Sequence, residues 1–395
     1  MAKLFFPAEF GRPGPIRVVP LTLVVVFTGV AGVWWVRGLP LGIDVSVYRA
    51  GALAVAHGHA LYAPLSLPSW SPGELPFVYP PVAALLFQPL GALPVQLAWG
   101  CMAVASALSL WMVLRLFIAR PVRGWTLVGL LAVALCSQPV WRTIGMGQIN
   151  IVLLGMVAFD VLALRGRRTG GVLTGLAAAI KLTPLFFLLH LIVVGRWRDA
   201  GRGMTAFIAA TGVGTLLLPH ASWIYWTSEL FGGFLADKKA SSENQSLGAV
   251  AARLADGGAG FWLHLVLALG CVAVCVPLVR RALRVSHAGA LLVSATCALL
   301  ISPISWTDHW VWVAPAAAYL ATCPNLRQSV RVAYVSLIAV AFSGAFLIVG
   351  PESPHALAGQ LFANAYVLAG LAAVLVAFVM LRPKRELPME VVARV

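Results

Sequence analysis

FWLHLVLALGCVAVCVPLV, residues 261–279, runs without an Asp, Glu, Lys or Arg and stops against Arg280, Arg281 and Arg284. An apolar run of about 20 residues matches the hydrocarbon thickness of a bilayer, and a basic cluster at one end marks the cytoplasmic side. The same pattern recurs in both directions along the 395 residues, of which 61% are hydrophobic and 10% charged. A soluble core of this size cannot hide so much apolar side chain, so lipid is the solvent. The expected fold class is all-α, a polytopic transmembrane helix bundle forming a single integral-membrane domain, 1–395.

Requiring the chain to cross between basic clusters gives twelve spans, at 18–37, 95–118, 124–140, 149–164, 170–180, 184–195, 203–219, 261–279, 287–301, 309–322, 331–349 and 361–381. Both termini are then cytoplasmic in the plasma membrane, with Lys3, Arg12 and Arg17 near one end and Arg382, Lys384, Arg385 and Arg394 near the other. Eight of the thirteen acids (Asp44, Glu74, Glu229, Asp237, Glu243, Asp256, Asp308, Glu352) fall outside, although acids placed nothing. No small-residue cleavage site follows the first run, which is read as a retained span. The outer loops 38–94 and 220–260 are long enough for interfacial helices. Residues 82–93, interrupted by Pro89, read as a re-entrant or interfacial helix. The stretch 170–180 is short for a span and reads as half of a hairpin turning at 181–184. Its Gly171-x-x-x-Gly175 spacing lets the backbone approach a neighbour closely.

Polar residues interrupt the apolar sequence at six places: Asp44 and Tyr48 in GIDVSVYRAG, Tyr79 in LPFVYPP, Gln148 and Asn150 in GMGQIN, Lys181 in IKLTP, Asn244 and Gln245 in ENQS, and Ser302, Trp306, Asp308 and His309 in SPISWTDHW. In the twelve-span topology all six lie at outer span ends or in outer loops. Ionisable groups at membrane level are costly and line sites or pathways, so this gathering at one face is the strongest functional signal. Singly, each also fits a blander reading. Asp44 after Gly42 and Ile43 fits a helix N-cap, His309 an anchor beside tryptophans, and Lys181 a side chain reaching for headgroups.

Several function classes drop out. The net charge of +15 resides in short clusters between apolar runs, a topology signal and not a nucleic-acid face. There is no G-x-x-x-x-G-K-[ST] loop, no G-x-G-x-x-G, no D-x-D pair and no H-E-x-x-H, which disfavours ATP-driven transport, dinucleotide chemistry and metal-held nucleotide sugars. The six cysteines, Cys101, Cys136, Cys271, Cys275, Cys297 and Cys323, form no C-x-x-C pair and read as buried thiols, with neither disulfides nor a metal site expected.

Together and in order, the six motifs resemble the actinobacterial GT-C glycosyltransferases that use polyprenyl-phosphate sugars, especially the mycobacterial phosphatidylinositol-mannoside α-1,2-mannosyltransferases and their lipomannan-branching relatives. The resemblance covers most of the chain. It implies a GT-C bundle with interfacial helices in the first outer loop and an active site near the outer leaflet. It further implies Asp44 as catalytic base, His309 as a second catalytic residue, and Tyr48, Tyr79, Gln148, Asn150, Lys181, Asn244, Gln245, Ser302, Trp306 and Asp308 around donor and acceptor. Relatives vary at the residue before the histidine, so Asp308 is either incidental or a second acid. The implied reaction takes mannose from polyprenyl-phosphate-mannose to a mannosylated phosphatidylinositol glycolipid, with no cofactor or metal expected. Two other readings stay open: an arabinosyltransferase using decaprenyl-phosphate-arabinose, and a multi-pass lipid or solute transporter. A transporter built from inverted repeats places its polar groups near the midplane of two halves, and no such halves are visible here.

Overall fold

A computed structural model describes residues 18–65, 67–69, 75–231, 238–255, 257–323, 326–342, 344, 359, 361, 363–364 and 365–381. Lys3, Arg12, Arg17, Glu74, Asp237, Asp256, Glu352, Arg382, Lys384, Arg385 and Arg394, on which part of the expected topology rests, lie outside the described residues, as do both termini and most of 343–349. Among the described residues there is no strand, and the one ladder-like pairing is an isolated antiparallel bridge between Asn244 and Trp306.

Three helices are long and apolar enough to cross a bilayer: α1 (Val19–Val36), α5 (Val95–Phe117) and α14 (Gly257–Leu283). Leu21, Val36, Leu216, Phe261 and Val266 are among many large apolar side chains left exposed, which suits a surface bathed in lipid. The other expected crossings are broken or short. α6 (Gly124–Cys136) and α7 (Gln138–Met146) meet at a 69° bend at Ser137, where Pro139 opens the second helix. The expected 149–164 span is one short helix, Asn150–Ala163, in which α8 (Asn150–Ala158) runs on into a π-turn over Phe159–Ala163, and the hairpin divides into α9 (Val172–Ile180) and α10 (Phe186–Val193). Length and composition therefore mark three of the twelve expected crossings, or four if the bent pair counts as one.

The stretch 38–94 contains helices as expected: α2 (Ile43–Ala56), α3 (Pro81–Leu86) and α4 (Gln88–Gly91), the last two separated at Phe87 just before Pro89. α11 (Trp197–Leu217), α12 (Pro219–Ile224) and α13 (Leu247–Leu254) follow. Then α15 (His287–Ile301), α16 (Val313–Thr322), α17 (Gln328–Phe342) and α18 (Ala365–Met380) complete the described bundle.

Among the described residues two large apolar cores and a small third one, on Val279, Ala282 and Ala290, fill the interior. The first of the large cores is built on Tyr48, Trp99, Leu110, Phe117 and Leu154, the second on Leu278, Leu300, Tyr366 and Val367. A 3₁₀ segment over Thr307–Trp312, leading into α16, stitches them together. Val311 and Ala314 belong to the first core and Trp310 and Val313 to the second.

The close approach expected of Gly171 and Gly175 is present. A Cβ on Gly175 would stand 1.9 Å from the Gly203 carbonyl oxygen of α11, and one on Gly171, where φ is +95°, would stand 1.8 Å from the Asp199 oxygen. The expectation that all six thiols are buried fails at Cys101 and Cys136, which are exposed at the bundle surface. An apolar stretch of sequence does not distinguish the lipid-facing side of a helix from the packed one. Gly175→Leu is expected to destabilise the protein by about 3 kcal/mol through overpacking, read as a lowered Tm in detergent. Gly129→Leu, a position with nothing within 4 Å, should leave Tm unchanged.

Candidate active site

Gly147 closes α7 with φ +68°, and the chain turns there because a Cβ would lie 2.9 Å from Val45 Cβ and strain the left-handed backbone. That turn delivers Gln148, Ile149 and Asn150 into the space between α2 and the 3₁₀ segment. Gln148 Nε2 donates to Asp44 Oδ2 at 3.0 Å. Gln148 Oε1 accepts from the hydroxyls of Tyr48 and Tyr79, the latter at 2.9 Å, while the two hydroxyls lie 3.1 Å apart. Two residues on, Asn150 Nδ2 donates to Asp308 Oδ2 at 2.7 Å and Lys181 Nζ donates to Asn150 Oδ1 at 2.8 Å. Lys181 Nζ also lies 3.1 Å from His309 Nε2. An ammonium has only protons to offer, so the imidazole accepts there and carries its own proton on Nδ1.

Asp44 is no N-cap. Gly42 occupies the cap, and the aspartate sits in the first turn of α2 without a side-chain bond to its own backbone, half-buried and turned toward Gln148. Burial raises its carboxyl from 3.8 to about 7. Neighbouring Asp308 adds to the rise, whereas Lys181, Arg142 and the Gln148 hydrogen bond oppose it. Asp308 is 4% exposed. Burial pushes its carboxyl up, against the pull of Lys181 and Arg142. At Lys181, lying in the break between α9 and α10, burial lowers the proton affinity, and Asp308 and Asp44 support the charge.

Tyr48 and Tyr79 form the wall beside this network. Tyr48 stacks on Phe87 with ring centroids 4.4 Å apart, and Lys181 Nζ stands 5.5 Å from the Tyr79 ring centre. The structure thus brings the eight residues together as two hydrogen-bonded groups, Asp44, Tyr48, Tyr79 and Gln148 in one and Asn150, Lys181, Asp308 and His309 in the other, joined by the chain from Gln148 to Asn150 and by Lys181 over the Tyr79 ring.

The remaining candidates hold the cluster from behind. Asn244 and Gln245 are fully buried, and their side chains bond mainly to backbone. Asn244 Oδ1 accepts from Ser305 N at 2.9 Å and its Nδ2 donates to Pro303 O at 3.1 Å, while Gln245 Nε2 donates to Ala363 O at 2.7 Å and its Oε1 accepts from Tyr366 N at 3.0 Å. Ser302 Oγ donates to Ile304 O at 2.7 Å, and Trp306 pairs with Asn244 through the bridge. These contacts set the path of the loop that carries Asp308 and His309.

The sequence reading passed over Arg142 of α7, which pairs with Glu243 at 2.9 Å and carries a buried Nε without a partner. It is an ion inside an apolar stretch five residues before Gly147, and the rule that picked out Lys181 applies to it equally. Thr143 was also passed over, and its hydroxyl donates to the Asp308 carbonyl at 3.1 Å.

From Asn150, Ser302 and His309 an apolar cavity of about 850 Å³ runs between α8, α10, α11 and α15 to Trp197 and Met204 at the start of α11. Asn150 and His309 of the polar cluster line it with Thr183, Ser302 and Ser305, and the rest of the lining is almost entirely apolar, a shape suited to a long lipid tail with a polar head.

The sequence description "Glycosyltransferase family 87" matches residues 77–303. A polyprenol-phosphate-mannose-dependent alpha-(1-2)-phosphatidylinositol mannoside mannosyltransferase of Mycobacterium tuberculosis is 32% identical over 326 residues, covering 76% of this chain and 75% of that one. The Mycolicibacterium smegmatis protein of the same description is 32% identical over 331 residues, with 76% and 75% covered. A crystal structure of ArnT from Cupriavidus metallidurans bound to undecaprenyl phosphate aligns with 90% of this chain and 76% of that one at TM-score 0.39 and 17% identity, too loosely to argue from. The chain belongs to glycosyltransferase family 87. The matched stretch includes Tyr79, Gln148, Asn150, Lys181, Asn244, Gln245 and Ser302. Asp44, Tyr48, Trp306, Asp308 and His309 lie beyond its ends.

Infrared difference titration of the purified protein should show a carboxyl signal, missing in Asp44→Asn, with a midpoint near pH 7. Gln148→Leu removes a hydrogen bond to the carboxylate form and should move that midpoint upward.

Proposed function

We propose that this family 87 member is a GT-C-type enzyme that transfers mannose from polyprenyl-phosphate-mannose to a mannosylated phosphatidylinositol glycolipid at the outer face of the membrane, forming an α-1,2 linkage. The observation that carries this reading is the placement of Asp44, its carboxyl raised to about 7, within the electrostatic reach of Lys181, whose partners Asn150 and His309 line a long apolar cavity. The names of the 32%-identical relatives supply the donor and acceptor class.

The polyprenyl tail lies in the apolar cavity, where each buried methylene contributes about 0.8 kcal/mol. Its phosphate reaches Lys181, and Arg142 adds a second positive charge near the carboxyls. Asp44 accepts the proton of the acceptor hydroxyl as that oxygen attacks the anomeric carbon from the face opposite the phosphate. With a β-linked donor a single displacement of this kind inverts to an α linkage, and one base suffices, without the second carboxylate of a double displacement. The leaving phosphate gains negative charge as the carboxylate is neutralised, so the pocket's total charge is conserved while Lys181 stabilises the side on which charge grows. His309 holds the ammonium in place through Nε2 and leaves its Nδ1–H free to donate to donor or acceptor oxygen.

Purified protein given polyprenyl-phosphate-mannose and a panel of phosphatidylinositol mannosides should yield a product one hexose heavier, with linkage analysis giving α-1,2. Transfer from decaprenyl-phosphate-arabinose alone would overturn the sugar assignment. Asp44→Asn should lower kcat by about 10³-fold or more while still binding donor. An active Asp44→Asn enzyme removes the base assignment. Because the base works only when deprotonated, wild-type kcat/KM should fall tenfold per pH unit below about 7 and level off above it. Met204→Trp, at the far end of the cavity, should raise KM for a long-chain donor by about tenfold, the equivalent of roughly two lost methylene burials. A short-chain donor should be unaffected.

A further inference from the structure

Away from the catalytic network, the described residues contain one group of side chains with the chemistry and spacing of a metal site. Cys271 and Cys275 stand one turn apart on α14, and Cys297 faces them from α15. The Cys271 sulfur lies 3.9 Å from those of Cys275 and Cys297, and all three fall within 4.8 Å of one another. Cys275 and Cys297 are each 2% exposed, and Cys271 is half-buried. The trio sits near the middle of the 27-residue α14, in an apolar core that includes Leu278, Leu299 and Leu300. The transfer reaction has no use for it.

We propose that these three sulfurs bind one soft monovalent cation, Cu(I) or its analogue Ag(I), in a three-coordinate site. The argument begins with size. A sulfur triangle with two 3.9 Å edges and a third no longer than 4.8 Å has a centre about 2.3–2.5 Å from all three corners, close to metal–thiolate bond lengths. The ligand type adds a second selection, since sulfur donors favour Cu(I) over magnesium, calcium or manganese.

Coordination number decides between the remaining thiophilic ions. The thiolate and not the thiol is the ligand, so each coordinating S–H bond breaks on binding and its proton leaves to solvent. No electron moves. Zinc in a closed protein site takes four ligands, whereas no further His, Cys, Asp or Glu joins this group among the described residues. Three soft donors without a fourth therefore fit Cu(I) better than a four-coordinate zinc. A bound ion ties α14 to α15, the helix that runs into the Ser302–Trp306 loop behind the candidate active site.

The test uses the full chain in nanodiscs with Cys101, Cys136 and Cys323 changed to Ala, reduced, and titrated with Cu(I) against a chelator of known affinity. One Cu(I) per chain is expected, with a sulfur-to-copper absorption in the near ultraviolet and a raised Tm. Cys271→Ser and Cys297→Ser in that background should each weaken binding at least tenfold. Cys275→Met, which keeps a soft sulfur, should retain more of it than Cys275→Ser. A monodisperse size-exclusion profile for each variant confirms folding independently of metal. The proposal is overturned if the reduced parent takes up no Cu(I), if the serine variants bind as tightly as the parent, or if Zn(II) competes equally.

Discussion

The hydrogen bond between Gln148 and Asp44 is the constraint on which the rest of the site depends. A carboxyl placed among tyrosines at membrane level needs a partner, because an unsatisfied buried polar group costs on the order of 1–3 kcal/mol. Gln148 supplies that partner only because Gly147 turns the chain sharply enough to bring it under α2. The same turn sets Asn150 two residues on, against Asp308 and Lys181. Three residues thus join an acid of α2 to an acid and an imidazole more than 250 positions later. Loss of the turn would separate the two halves of the site while leaving most of the bundle's apolar packing in place.

Broken helices are what allow this arrangement inside a membrane protein. An intact span satisfies its backbone internally and offers only side chains to a site. Here α7 ends at Gly147, α9 ends at Lys181, and the 3₁₀ segment begins after Trp306, so three interruptions converge on one region. Each interruption frees a polar residue from the regular helix surface and points it at the others. The two large cores meet at the same place, with alternate residues from Trp310 to Ala314 belonging to one and then the other. The site therefore lies where the packing changes hands, the usual place for a ligand-sized gap.

Much of this was legible in the sequence, for a physical reason. A polar residue inside an apolar run has to be explained, and asking for the explanation found Asp44, Gln148, Asn150, Lys181, Asp308 and His309, all in the cluster. The query could not tell contact with a ligand from support of a loop. Asn244 and Gln245 interrupt apolar sequence as conspicuously as Asp44, yet their side chains are spent largely on backbone groups of the Pro303–Ser305 stretch, Ala363 and Tyr366. Arg142 escapes that query because it stands just past the end of the expected 124–140 span, where a basic residue reads as a topology charge. The twelve-span reading assumed that apolar length equals helix length, and the 69° bend at Ser137 and the short α8, α9 and α10 show where that equation breaks.

In the proposed reaction one carboxyl acts as base, and the charges around Asp44 give the second carboxyl a part in it. Were Asp308 apolar, Lys181 would face only Asp44 across the pocket. The attraction would then hold that carboxyl ionised and lower its affinity for the proton it must accept. Burial is the largest cause of the rise of the Asp44 carboxyl to about 7, and Asp308 adds to it by repelling charge there, against Lys181, Arg142 and the Gln148 hydrogen bond. Asn150 joins Asp308 to Lys181, bonding to the first with its amide nitrogen and to the second with its amide oxygen. An Asp308→Asn protein should therefore show its acidic limb at lower pH than the wild type as well as a slower plateau. A limb at unchanged pH would mean that Asp308 holds the loop and does nothing to the base.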